Sequence, residues 1–324
     1  MDRIPSAPPP IVDAHEDIAY HMRRFRREFE RPTVPCQITL PLLKKGGVRL
    51  VFNTVFVAAG VEPDDWGREA EAQLDLYDEI AVRHAGEVYR ITDADALGLF
   101  AEEGSIGLLT MMEGAEPLES PDTLEEFHRR GVRVVSLTWN TENKYASGYY
   151  TDKGLTAEGA ELIRTMNELG IALDLSHIND HGFWPALELT ELVPLATHSN
   201  ARALCPHPRN LTDEQIRAIA ERGGVVGVVL YRPFLAAEAE GTLDDVVRHV
   251  AHIASLVGED HVGIGSDLDG ASPRDFPSEI RTVADLPLIA ARLAEAGFDD
   301  EAVRKVMGGN FLRLLACNLG APEA

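Results

Sequence analysis

In IVDAHEDIAY, residues 11–20, acidic and imidazole side chains alternate as Asp13, His15 and Asp17. Residues two apart on a strand share a face, so all three are expected to project to one side. A nitrogen from His15 beside an oxygen from Asp17 is a donor pair that zinc accepts. Read alone, the spacing also suits a hydrogen-bonded histidine followed by a helix-capping Asp17. Glu113 closes IGLLTMMEG (106–114), where burying a carboxylate is costly unless it meets a cation or a donor. An arginine partner is the competing account. His177 closes IALDLSH (171–177), and His198 ends the apolar part of LVPLATHS (192–199). Two imidazoles on consecutive apolar runs, a carboxylate two runs earlier and a His-x-Asp on the first run together point to a two-metal centre.

Two further groups suit hydrolysis around such a centre. Asp267 and Asp269 lie in GIGSDLDG (263–270). We read Asp267 as the base facing an activated water; the alternative is that both acids cap the following turn. Arg209, in CPHPRN (205–210), could fork onto a substrate carboxylate, with Arg202 as its rival and an exposed salt bridge as the plainer account of either.

These residues need a scaffold that gathers distant positions. Eight β-branched runs serve as candidate strands, at 11–17, 49–57, 106–114, 132–139, 171–177, 192–199, 224–231 and 262–270. Helical periodicity fills most gaps, for example at 64–84, 156–170 and 242–258, and Thr212 with Gln215 has capping-box spacing. Alternating strands and helices imply a parallel sheet covered by helices. The polar residues sit at the C-terminal ends of five runs, where a (β/α)8 TIM-type barrel assembles its active site. We therefore expect an α/β fold of that kind, one domain over 1–324 with its core at about 11–316. The segment 58–104 is read as a long helix followed by an accessory turn and helix. The loop 140–154 is expected to overhang the barrel mouth.

Composition narrows the partners. The 324 residues carry a formal net charge of -23, which argues against nucleic acid or anionic lipid as a partner. Three scattered cysteines make no disulfide framework and suit a reducing, cytoplasmic compartment. No apolar run approaches the ~20 residues needed to span a bilayer. The first ten residues lack the apolar stretch of a leader, and the last seven lack the tail of a lipid-anchor signal.

Taken in order and spacing, VDAHED, MMEGAEPL, LDLSH, ATHSNARALCPHPRNLTDEQI and GIGSDLDG resemble the membrane dipeptidase (renal dipeptidase) family of the amidohydrolase superfamily, over about residues 11–315. The resemblance implies a barrel holding two zinc ions. His15, Asp17 and Glu113 would bind one, and the bridging Glu113 with His177 and His198 the other. Asp267 would be the acid/base and Arg209 the substrate-binding arginine. It implies hydrolysis of dipeptides, with a C-terminal residue of either hand accepted, through a hydroxide shared by the ions. A homodimer is also suggested by the family. One position departs: where better-known members carry a substrate-contacting histidine, this chain has Trp139. Indole offers one donor and does not titrate. Either Trp139 packs against a different substrate, or Asn140, Asn143 or Tyr145 supplies the donor. A binuclear hydrolase of N-acyl amino acids or lactones is the second expectation, and a non-catalytic ligand-binding barrel the third.

Overall fold

The computed structural model describes residues 10–320 apart from 33, 102–103 and 238–240. The readings made on residues 1–9 and 321–324 lie outside the described residues. Among the described residues nine strands run β1 (Ile11–Glu16), β2 (Val48–Phe56), β3 (Val88–Arg90), β4 (Ile106–Glu113), β5 (Val132–Ser136), β6 (Ala172–Asp174), β7 (Leu195–Ala196), β8 (Val225–Val228) and β9 (Val262–Ile264). Eight pair in the order β1-β2-β4-β5-β6-β7-β8-β9, each parallel to the next. Helices follow the strands, as the (β/α)8 expectation requires.

Alternation along the strands divides the core in two. Val12, Ala14, Leu50, Phe52, Leu109, Met111, Val134, Ala172, Leu195 and Val225 form the cluster that fills the barrel. Their neighbours on the other face, such as Val51, Leu108, Met112 and Val135, pack with buried residues of the helices Trp66–Arg83, Ala157–Leu169 and Leu243–Val257. Thr156 caps the second helix by accepting from Gly159 N–H at 3.0 Å, and Gly170 ends it at φ 71°. The Thr212–Gln215 capping box forms in both directions, at 3.2 and 2.8 Å.

The short strand β3 falls where an accessory turn was expected, ahead of the accessory helix. It pairs with Ile106–Leu108, while β5 pairs with β4 only from Thr110 onward, so β3 covers an edge that β5 leaves open. The barrel closes at its carboxyl end. Asp267 N–H donates to His15 O at 3.0 Å, Asp17 N–H donates to Leu268 O at 3.3 Å, and Glu16 bridges Leu268. Among the described residues no helix is long and apolar enough to cross a membrane.

Asp13 requires a correction. Its neighbours Val12 and Ala14 point into the barrel, so Asp13 points outward, where it accepts from Ser266 N–H at 2.7 Å. Between Asp13 (opposite Val51) and Glu16 (opposite Asn53) the register shifts by one residue. This bulge breaks the alternation and brings His15 inward directly after Ala14.

Candidate active site

Six side chains at the ends of five strands meet at the carboxyl end: His15 and Asp17 from β1, Glu113 from β4, His177 after β6, His198 after β7 and Asp267 after β9. Glu113 Oε1 lies 3.3 Å from His15 Nε2, 3.0 Å from His177 Nε2 and 3.3 Å from His198 Nε2. Asp17 Oδ2 lies 3.9 Å from His15 Nε2. His15, Asp17 and Asp267 each offer a donor atom within 4.8 Å of the others, as do His15, Glu113 and His198. Three of the four non-glycine residues with positive φ among the described residues are here: His177 (70°), Asp267 (65°) and Asp269 (64°). Such backbone strain at His177 and Asp267 is what aims these two side chains into the cluster. Gly270 must lack a Cβ, which would come within 2.4 Å of both Asp17 Oδ2 and Asp267 Oδ1.

The outer nitrogens of the imidazoles are all spoken for. His177 Nδ1 donates to Asn140 Oδ1 at 2.7 Å. Thr197 Oγ1 donates to Asp174 Oδ2 at 2.7 Å, which leaves its lone pairs to accept from His198 Nδ1 at 2.8 Å and His15 Nδ1 at 3.4 Å. Asp174 is itself fixed by Ser136 Oγ and by the N–H groups of Ser176 and Thr197. With Nδ1 protonated, each Nε2 presents a lone pair inward. His177 Nε2 and His198 Nε2 then face each other at 2.8 Å, and His15 Nε2 is buried without a hydrogen bond among the described residues.

That arrangement fits a divalent cation. Burial, followed by the Arg209 charge for His177 and by His15 and then Arg209 for His198, pushes both well below the usual imidazole range, so both are the neutral ligands a metal needs. Burial pushes Glu113 up to about 8, against the lowering pull of Arg209. Asp17 rises to about 7 through burial and the neighbouring Glu113, and burial holds Asp267 well above the carboxylate range. Carboxyls that resist ionisation, packed against facing lone pairs, call for positive charge among them.

Other positions sort differently from their sequence reading. Asn140 acts on His177 from behind. Tyr145 is buried, with its hydroxyl donating to Leu118 O at 2.9 Å, and it lies away from the cluster. Arg202 makes the surface ion pair, reaching Asp180 at 2.7 and 2.9 Å. Arg209 sits behind His198, donating to Ser199 Oγ and His198 O at 2.8 Å each, with Nε uncommitted among the described residues. Asp269 anchors its loop through buried Arg27 at 2.6 Å and Gln37 N–H at 2.7 Å. A cavity of about 210 Å³ opens over the cluster, walled by Tyr20, Phe56 and Trp139 on one side and by Tyr149, Tyr231 and Phe234 on the other. Sequence reasoning missed Thr197 and Asp174; their only signal is an acid three residues before His177 in LDLSH and a threonine directly before His198 in ATHS.

Residues 6–318 match the model of the membrane dipeptidase family, peptidase family M19. The chain belongs to the membrane dipeptidase family. A Klebsiella pneumoniae protein, named as an uncharacterized protein in the pqqA 5′ region, is 36% identical over 256 residues, 75% of this chain and 93% of that one. The dipeptidase tcpJ of Claviceps purpurea is 29% identical over 328 residues, 94% and 76% of the two chains. A Rhodobacter sphaeroides metallopeptidase, solved with a phosphinate mimic of the dipeptide L-Ala-D-Ala, superposes with a TM-score of 0.89 at 28% identity, covering 96% of this chain and 100% of that one. As a member of the membrane dipeptidase family, the chain is a metal-dependent dipeptidase, a hydrolase acting on peptide bonds.

The Thr197 hydroxyl gives a first prediction. Thr197→Val keeps the shape and removes the acceptor shared by His198 and His15. Metal affinity, measured by competition with a chromogenic chelator, should fall by ~10–100-fold, with the circular dichroism spectrum unchanged. Thr197→Ser should restore it.

Proposed function

We propose that this dipeptidase uses two zinc ions, held by His15, Asp17 and Glu113 on one side and by Glu113, His177 and His198 on the other. The observation that carries the proposal is the approach of three imidazole nitrogens to the single oxygen Glu113 Oε1. Zinc is the ion best matched to this mixture of nitrogen and oxygen donors. When bound, the ions supply Lewis acidity, polarising the scissile carbonyl and activating water near neutral pH.

The protein's own groups do the rest. Asp267 accepts the proton of the attacking water at its carboxylate and delivers it to the leaving amine. Its seat at the rim beside His15 and Asp17 supports that role. Arg209, whose charge reaches Glu113 and Asp267, attracts the substrate's free carboxylate and fixes which end faces inward. Asn140 and Thr197 hold the imidazoles in one tautomer. Aromatic walls exclude bulk water from the cavity. Acceptance of a D-residue at the C-terminus is supported by the L-Ala-D-Ala mimic in the Rhodobacter relative.

The test is a panel of L,L- and L,D-dipeptides, N-acyl amino acids and lactones, run after chelation and again after zinc is restored. Turnover of dipeptides should vanish and return, with two equivalents of zinc per chain at full activity. Inert dipeptides beside active N-acyl amino acids or lactones would move the assignment to the other hydrolase class, and one equivalent at full activity would end the binuclear reading.

A further inference from the structure

Trp139 borders two spaces. It walls the 210 Å³ cavity over the cluster and also lines a separate groove of about 760 Å³, whose other walls include Val61, Trp66, Pro117 and Leu118. The first volume lies below the ~300–1,000 Å³ of pockets for drug-sized ligands, and the second lies within that range. The side chain of Trp139 therefore stands between a site with little room and a space with a great deal.

The wall is held from several directions. The Trp139 ring meets Phe56 at 5.2 Å between centroids and lies 6.3 Å from His177. Its backbone is fixed as well. Thr138 Oγ1 donates to Thr141 O at 2.6 Å, Asn143 Nδ2 donates to Leu137 O at 2.8 Å, and Tyr150 N–H donates to Asn140 O at 3.1 Å. Gly148 approaches so closely that a Cβ there would come within 2.1 Å of Trp139 O. Shortening the side chain should thus remove the wall without loosening the segment that carries Asn140.

Topology says which part of a substrate meets the wall. Trp139 follows β5 and Phe56 ends β2, and these two strands flank β4, which carries Glu113. Tyr231 and Phe234 follow β8, across the barrel from β4, and Arg209 lies over the Phe234 ring at 5.8 Å. A dipeptide whose carboxylate turns toward Arg209 directs its N-terminal residue toward Phe56 and Trp139. This step rests on the dipeptidase reading above.

We propose that Trp139 is the specificity-determining partition that limits the size of the substrate's N-terminal residue. Two measurements test it on the zinc-loaded enzyme. The first is kcat/KM for Ala-Ala, Phe-Ala and Ala-Phe with wild type, Trp139→Ala and Trp139→Leu. The second is calorimetric binding of phosphinate mimics of Ala-Ala and Phe-Ala. Wild type should favour Ala-Ala over Phe-Ala by about tenfold or more. Trp139→Ala should bring the ratio to about 3 or less through a gain on Phe-Ala, with Trp139→Leu in between. The phosphinates should show the same reversal in Kd.

Parallel loss on all substrates, an unchanged ratio, or a gain confined to Ala-Phe would overturn the proposal. If wild type hydrolysed no dipeptide, the dipeptidase reading would fail, yet the binding arm would still decide the partition. Equal affinity of wild type for the two phosphinates, or no binding of either to any form, would end it.

Discussion

Replacing Glu113 by Gln should lower kcat/KM for a good dipeptide by more than about 10³-fold, because the lost Lewis-acid stabilisation is several kcal/mol and each 1.36 kcal/mol is a factor of ten. The reasoning starts from one atom. Three imidazole nitrogens lie within 3.3 Å of Glu113 Oε1, so this carboxylate touches every histidine of the cluster. An amide keeps the size but loses the charge that would offset two cations. Zinc per chain, measured by plasma emission, should fall from two to one or fewer. Folding should survive. Burial already pushes Glu113 up to about 8, so near pH 7 the metal-free protein holds a mostly uncharged carboxyl that glutamine imitates. Thermal unfolding of the two metal-free proteins should therefore coincide within a few degrees. A variant that kept both zinc ions and its rate would remove Glu113 from the centre of the chemistry.

Asp267→Asn should behave in the opposite way toward metal and similarly toward rate. A positioned acid/base group contributes typically ~10²–10⁴-fold, and asparagine can neither take up the proton of water nor return it to the amine. The variant should retain two zinc ions and bind a phosphinate dipeptide mimic with affinity within about tenfold of wild type, since most of the binding contacts remain. Its backbone should hold, because asparagine tolerates the left-handed conformation recorded at φ 65°. Loss of zinc from this variant would recast Asp267 as a ligand, and an unchanged kcat would remove it from proton transfer.

The scaffold was legible where hydrophobic periodicity carries it. The runs read as β1, β2 and β4 agree with the strands to within a residue or so at each end, and the capping box read at Thr212 and Gln215 is formed. Later strands came out shorter than their apolar runs. The run 171–177 supplies only Ala172–Asp174, and 192–199 only Leu195–Ala196. The reason is chemical, since the last residues of each run leave the ladder to aim side chains into the cavity. His177 does so at φ 70°, a conformation no apolar pattern announces. Strict alternation failed at Asp13, because a bulge depends on pairing between strands and leaves no mark in one strand's own sequence. Tyr145 shows a related limit: an aromatic residue in a loop over the mouth can as readily fill the core beneath it.

The seam between β1 and β9 has a consequence for how the chain is made. Asp267 leaves the ribosome about 250 residues after His15, and at ~5–20 residues per second that interval is tens of seconds. Until then β1 has no neighbour on one side, and the backbone links from Asp267 to His15 and from Asp17 to Leu268 do not exist. Residues near the start of the chain wait for those near its end. A nascent polypeptide can therefore gather most of the donors yet lack this closure until Asp267 and Leu268 have been made.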